Sequence, residues 1–118
     1  MVTPADLAWA AGIIEGEGTI HVRNRGTHQT VVLGVTMSDL DVLEHLRGVL
    51  GVGTIVGPYQ QRPGVKPLWH WNVTCARHVA AAVMTLYPLL HERRREQVRK
   101  VLAAWHQMRG HKNGRVYC

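Results

Sequence analysis

The chain has 118 residues, 46% of them hydrophobic, which is enough for one domain with its own core. Fourteen Lys and Arg against eight Asp and Glu give a net charge of +6, and such a surplus on a small domain is typical of nucleic-acid-binding proteins. No apolar run approaches the ~20 residues that span a bilayer, and no secretion signal opens the chain, so we expect an intracellular protein without a membrane partner.

The first predicted element is a helix over residues 4–16, and one of its faces is nearly bare. Ala8, Gly12 and Gly16 fall four residues apart, so they share a face with no side chain larger than a methyl group. Gly inside a helix costs about 0.5–1 kcal/mol relative to Ala, and the close approach of a second backbone is a natural reason for such a stripe. An ordinary helix–helix contact is the alternative. The apolar positions that give the helical period are Leu7, Ala10, Ala11 and Ile14.

Two strands and a second helix follow. Residues 19–25 and 29–37 alternate polar and apolar side chains around a turn at Gly26-Thr27, which is the pattern of half-buried strands. Ser38-Asp39 is expected to cap a helix over residues 39–50, whose leucines form an apolar stripe.

The rest of the chain adds two strands and two helices. Gly57 and Pro58 make the third strand irregular or an edge strand, and Pro88 separates the two helices. The element order predicts an α+β fold, αββαββαα, in which helices cover one face of a four-stranded antiparallel sheet and leave the other face free. The predicted ranges are 54–62, 68–75, 76–87 and 90–108.

We expect one domain over residues 1–109, followed by a short basic tail over residues 110–118. The tail could be a flexible arm that binds phosphate, or it could be disordered.

The strand alternation predicts which side chains project from the uncovered face. They are mostly basic or polar, and a two-stranded ribbon fits the major groove of double-stranded DNA, so we expect this face to bind DNA. A solvated face that binds nothing is the alternative. The candidates on the first two strands are Thr19, His21, Arg23, Arg25, His28, Thr30, Val32 and Thr36. Those expected from the last two strands are Gln60, Arg62, Lys66, His70 and Asn72.

The segment from Ala10 to Gly18 resembles the LAGLIDADG motif of homing endonucleases, with Glu at both acidic positions. Three later landmarks resemble the same family: Val35-Thr36-Met37 before a helix, Gly51-Val52-Gly53 before a strand, and Arg94-Arg95-Glu96-Gln97 in the last helix. The resemblance covers roughly residues 5–104 and agrees with the order of elements.

The resemblance implies an enzyme of mobile genetic elements that binds a long DNA target through a saddle-shaped sheet and cuts both strands with a divalent metal. It implies Mg²⁺ or Mn²⁺, with Ca²⁺ supporting binding but not cleavage, and no small-molecule cofactor. Because the chain holds one copy of the motif, a homodimer on a near-palindromic site is implied. The interface residues implied are Ala8, Ala11, Gly12 and Glu15.

The same resemblance implies roles for the residues around the motif. Glu17 corresponds to the metal-binding acid and the Gly16 carbonyl to a further ligand, whereas Glu15 is interpreted as a structural group that caps or pairs near the interface. Arg94 corresponds to the basic residue that supports the transition state, with Arg93 as the alternative if the register is shifted by one.

Met37 stands where the family often has Gln, and a thioether cannot orient water through strong hydrogen bonds. Weakened catalysis is therefore an open possibility, with Thr36 or Ser38 able to compensate. Two other functions stay open on the same scaffold: a catalytically inactive DNA-binding protein, and an RNA maturase that helps an intron to splice.

Overall fold

Four helices and four strands follow one another in the predicted order in the computed structural model, which describes residues 1–109. The predicted α+β fold is confirmed, and the expected tail over residues 110–118 lies outside the described residues. The elements are α1 (Pro4–Glu17), β1 (Gly18–Arg25), β2 (His28–Met37), α2 (Leu40–Leu50), β3 (Thr54–Tyr59), β4 (Leu68–Val73), α3 (Ala76–Leu86), a short 3₁₀ helix (Tyr87–Leu89) and α4 (Glu92–Arg109).

The strands form one antiparallel sheet in the order β1-β2-β4-β3, so β1 and β3 are its edges. Alternate side chains of the strands point to the helices and enter a single core, because successive residues of a strand face opposite sides. Gly18 pairs with Val35 at one end of the β1–β2 hairpin, and Arg25 pairs with His28 at the other. The fully buried residues that the strands contribute are Leu33, Val35, Trp71, Val73 and Val31.

The first helix begins as its sequence predicts. The backbone N–H of Asp6 donates to Thr3 Oγ1 at 3.1 Å, and that of Thr3 donates to Asp6 Oδ2 at 2.8 Å, which is a complete capping box with Pro4 at the first helical position.

The second helix starts differently from the prediction. Asp39 is the N-cap, but its side chain makes no capping hydrogen bond, and the helix begins at Leu40. The ψ of Asp39 is 88°, which departs from the extended conformation of the N-cap Thr3, whose ψ is 164°. Side-chain capping is typical of an extended N-cap residue, so the backbone of Asp39 explains the missing bond.

The third strand is shorter than predicted and ends at Tyr59. Gly57 has a φ of +134°, and the pairing with β4 shifts between Val56 and Tyr59. This irregularity and Pro58, which has no N–H to donate, end the ladder early. Three candidates expected on the last two strands therefore lie in the loop between β3 and β4 instead: Gln60, Arg62 and Lys66.

The turn before β3 depends on a glycine beside the central tryptophan. Gly53 has a φ of +96°, and a Cβ at this position would overlap Trp71 Nε1. The same indole nitrogen donates a hydrogen bond to the Val52 carbonyl at 3.0 Å. Trp71 is fully buried, so it cannot move aside without loss of packing.

We expect Gly53→Ala to lower the free energy of unfolding by about 2 kcal/mol or more, because it combines a left-handed backbone with a steric overlap in the core. The measurement is urea unfolding. The control is Gly48→Ala in α2, where an added Cβ meets nothing and the higher helix propensity of Ala predicts equal or greater stability. Equal stability of the two variants would contradict this description of the turn.

Candidate functional site

The two acidic residues near the end of α1 have different surroundings. The Glu15 carboxylate accepts a hydrogen bond from the backbone N–H of His91 at 2.7 Å, and its Oε1 lies 3.1 Å from His91 Nδ1. His91 directly precedes α4, and its carbonyl accepts from Arg95 N–H in the first turn of that helix. Glu15 thus satisfies a backbone donor at the helix start.

The carboxylate of Glu15 is held in its charged form. The hydrogen bond from the His91 backbone is the largest influence and lowers the pKa of Glu15. Burial opposes it, and the His91 side chain and the Arg94 charge lower the pKa further. This is the expected behaviour of an acid that accepts hydrogen bonds at the positive end of a helix.

Arg94 is turned inward, with 6% of its surface exposed. Its Nε donates to the Glu15 carbonyl at 3.3 Å and one terminal nitrogen donates to Gln97 Oε1 at 2.9 Å. Burial lowers the pKa of Arg94, the nearby charge of Arg93 acts in the same direction, and Glu15 opposes both. An arginine remains protonated under such influences, so a buried positive charge lies against the end of α1.

This burial changes the interpretation of the three consecutive arginines. Arg94 is committed to groups of its own chain, which does not suit direct contact with a substrate phosphate. Arg95 donates to the carbonyls of Tyr87 and Pro88. Arg93 is exposed and makes no hydrogen bond or ion pair within the described residues, so it is the better candidate for such a contact.

Glu17 is the last residue of α1 and is exposed, with no hydrogen bond or ion pair to any described residue. The carbonyls beside it are used differently: the Ile14 carbonyl accepts from Gly18 N–H, and the Glu15 carbonyl accepts from Arg94. The Gly16 carbonyl, one of the last four of the helix, has no donor within the helix. One carboxylate and one carbonyl are thus available at this helix end.

These groups can be compared with the needs of a divalent cation. Within residues 1–109 no cluster of three or more His, Cys, Asp or Glu could enclose a metal. Mg²⁺ often takes only one or two carboxylates and completes its shell with water and substrate phosphate. The oxygen donors of Glu17 and Gly16 fit such an open site, although they do not form a closed protein cage.

The small-residue face of α1 is open. Ala8, Gly12 and Gly16 are exposed, and a Cβ added at either Gly would meet nothing within 4 Å. Ala11, which the sequence analysis placed on this interface, is instead buried in the core with 3% exposure. It lies about 100° around the helix from Gly12, the middle of the stripe, on the side of Ala10 and Ile14.

Two further candidates differ in what the structure says of them. Glu15 makes its hydrogen bonds to His91 within its own chain and is 28% exposed, so its place in the interface stays a prediction. Val32 is on the strand face opposite the core-directed Val31 and Leu33, yet it is only 8% exposed, because β2 is an inner strand and Val32 pairs with His21 on β1. It offers little surface for a partner.

The open face of the sheet carries the other strand candidates. Those on the hairpin and at the end of β2 are exposed, and those nearer the middle of the sheet are half-buried. The exposed ones are Thr19, Arg23, Arg25, His28, Thr30 and Thr36. The half-buried ones are His21, His70 and Asn72. The loop residues Gln60, Arg62 and Lys66 are exposed but do not belong to the strands.

The register adds residues that the sequence analysis missed. Thr54 pairs with Asn72 and Val56 with His70, so both share the open face. The ring of Tyr59 lies 5.1 Å from that of His70, which places it on the same face. Two of the three are apolar or aromatic, and the search for polar side chains therefore passed over them.

A short hydrogen bond links two candidates across β2 and β4. Thr36 Oγ1 lies 2.6 Å from His70 Nδ1, and the two residues are direct partners in the antiparallel register. Met37, the next residue of β2, packs against the core beside its partner Trp69.

The chain is similar to known proteins in its fold, although no match is found from its sequence. No protein-family model and no curated protein match the chain. The structure is similar to the homing endonuclease I-CvuI in complex with the I-CreI target in 2 mM Mg, where the DNA is not cleaved: the TM-score is 0.74 at 21% identity, over 95% of this chain and 73% of that one.

Two other DNA complexes are similar. For the group I intron-encoded homing endonuclease I-CeuI complexed with DNA, the TM-score is 0.72 at 16% identity, over 93% of this chain and 58% of that one. For the LAGLIDADG meganuclease I-AabMI bound to uncleaved DNA, the TM-score is 0.71 at 18% identity, over 91% and 40% of the two chains.

This chain is an α+β domain with a four-stranded antiparallel sheet, and these structures share its fold. The chain has the fold of the LAGLIDADG homing endonucleases, and the resemblance seen in its motif is confirmed at this level. No helix within residues 1–109 is both long and apolar enough to cross a membrane.

We expect Glu15→Ala to lower the free energy of unfolding by about 1–3 kcal/mol at pH 7, because a charged hydrogen-bond partner of the α4 start is lost. Because folding lowers the pKa of Glu15, its contribution is fully present above the ordinary glutamate pKa of about 4.3 and is lost as the pH falls through the lower folded-state value. The measurement is urea unfolding of wild type and variant between pH 3 and 7. A stability difference that does not shrink below pH 4 would contradict this role.

Proposed function

We propose that the chain is a site-specific DNA endonuclease that acts as a homodimer and makes a metal-dependent double-strand break. The observation that carries this proposal is the position of Glu17. Glu17 has no partner among the described residues and lies where two surfaces meet, the small-residue face of α1 and the open face of the sheet, which starts with β1.

The size and charge of the open face suit a DNA groove. The eight residues of β1 span about 25 Å at ~3.3 Å per residue, which corresponds to about seven base pairs at ~3.4 Å each. Arg23 and Arg25 are exposed at the far end of the hairpin from Glu17. One chain would therefore follow one arm of a target, with base contacts along the strands and phosphate contacts from arginine.

Cutting both strands of the DNA would require a dimer. One chain offers one unpartnered carboxylate at the end of α1, whereas a break in both strands needs a reactive site for each. Packing of the stripe formed by Ala8, Gly12 and Gly16 against its copy would bring two Glu17 side chains together at a two-fold axis. The target would then be near-palindromic.

The reaction is hydrolysis of a phosphodiester: a water oxygen loses a proton and bonds to phosphorus, and the bond to the leaving sugar oxygen breaks as that oxygen takes up a proton. A bound divalent ion, Mg²⁺ or Mn²⁺, would supply charge neutralisation and lower the pKa of water. Glu17 and the Gly16 carbonyl would hold it. Ca²⁺ would support binding without cleavage.

Two arginines of α4 would contact the phosphate and position the metal-binding segment. Arg93, exposed at the start of α4, would contact the phosphate, and its fixed charge would stabilise the negative charge that develops there. Arg94 would act indirectly, since its bonds to the end of α1 position the Gly16–Glu17 segment.

The test is a target selected from a randomised duplex library and then incubated with Mg²⁺. We expect wild type to cut both strands, and Glu17→Gln to bind with similar affinity but cut about a hundredfold more slowly or worse, the scale for losing one charge-stabilising group. Glu44→Gln, an exposed carboxylate of α2, is the matched control and should cut normally.

Cleavage that survives Glu17→Gln would remove Glu17 as the metal acid. Specific binding without cleavage by any of the three proteins would instead favour an inactive DNA-binding protein. The core-packed Met37, in place of a polar group at the end of β2, is the observation that supports this second candidate.

The dimer is tested with Gly12→Leu. A Cβ added at Gly12 meets nothing within 4 Å in the single chain, but a leucine would keep a second α1 from approaching, so we expect a monomer with much weaker DNA binding. Gly48→Leu is the control, because Gly48 is equally open and helical but lies on α2. The measurement is sedimentation velocity with and without DNA. A Gly12→Leu protein that assembles and binds like wild type would contradict the interface.

A further inference from the structure

Thr36 and His70 form a fixed pair on the open face, near the proposed metal acid. Thr36 follows Val35, which pairs with Gly18, the first residue after α1. The Thr36–His70 pair therefore lies at the end of the sheet that adjoins Glu17. The β1–β2 turn, flanked by Arg25 and His28, lies at the opposite end. A contact between this pair and DNA would therefore lie close to the phosphates that are cut.

The pair is joined by one hydrogen bond, and the ring tautomer decides which atom donates. Thr36 Oγ1 and His70 Nδ1 lie 2.6 Å apart. Thr36 is exposed and has no other hydrogen-bond partner among the described residues, so its hydroxyl is free to point at the ring.

Donation by the Thr36 hydroxyl to Nδ1 would fix the tautomer of the imidazole. If Nδ1 accepts from the Thr36 hydroxyl, the neutral ring carries its proton on Nε2, because one ring nitrogen donates when the other accepts. The second edge of the ring then presents an N–H donor. The Tyr59 ring, 5.1 Å from His70 and tilted by 56°, lies beside it and limits its rotation.

We propose that His70 is a specificity-determining residue whose Nε2–H, set by Thr36, selects guanine at one base pair in each half of the target. The proposal rests on the function proposed above. In the major groove guanine presents two acceptors, N7 and O6, whereas the N7 of adenine lies beside an amino donor that repels an N–H. A single fixed donor therefore favours guanine over adenine, and thymine offers one acceptor, O4, where guanine offers two.

The tautomer can be measured without DNA. A long-range ¹H–¹⁵N correlation spectrum of the free protein at neutral pH shows which nitrogen of His70 carries the proton. We expect the proton on Nε2 in wild type and in Thr36→Ser, which keeps the hydroxyl. Thr36→Val removes the hydroxyl at similar volume and should release this preference. A proton on Nδ1 in wild type would overturn the proposal.

The base preference is measured by selection from a randomised library, followed by competition between guanine and adenine at the selected position. Wild type and Thr36→Ser should prefer guanine by about tenfold, the lower end of the effect of one mismatched base pair. His70→Ala and Thr36→Val should lose most of that ratio at this position and keep their preferences elsewhere.

Other results would overturn the proposal in distinguishable ways. If His70→Ala weakens binding to all sequences equally, His70 contacts phosphate and reads no base. If guanine is still preferred in Thr36→Val, the hydroxyl does not set the donor. If wild type itself selects no sequence, the function proposed above fails, and the base preference fails with it.

Discussion

The contact between the end of α1 and the start of α4 is the constraint on which the arrangement of the site depends. Glu15 uses its carboxylate to hold the backbone N–H of His91 and its carbonyl to accept from Arg94. The two helices are thereby joined one turn before the chain enters the sheet. Because Arg94 is almost fully buried, its removal would leave the Glu15 carbonyl and Gln97 Oε1 without their donor.

This contact gives the two glutamates near the end of α1 different roles. Glu15 is used within the chain, so Glu17 is left unpartnered among the described residues at the point where α1 becomes β1. The same fixed geometry leaves Ala8, Gly12 and Gly16 facing outward, and it begins β1 in a set register with β2. An acid, a bare helix face and a basic sheet face consequently adjoin, and the proposed function uses all three.

Local patterns predicted local structure well. The capping box of α1, the alternation along β1 and β2 and the order of elements all depend on residues close in sequence, so periodicity was sufficient. The contacts of Glu15 with His91 and Arg94 join residues 76 and 79 positions apart, and only packing determines them. The rotation of α1 about its axis, which buries Ala11 beside an exposed Gly12, and the early end of β3 after Gly57 were likewise set by the tertiary structure.

The central claim is that two copies of this chain place their open sheet faces on one DNA duplex. Hydroxyl-radical footprinting of the wild-type complex on a selected target, with the mass of the complex measured in the same buffer, tests it most directly. The account predicts two chains per duplex and protection that is symmetric about the centre of the target. One chain per duplex with a single asymmetric region of protection would contradict it.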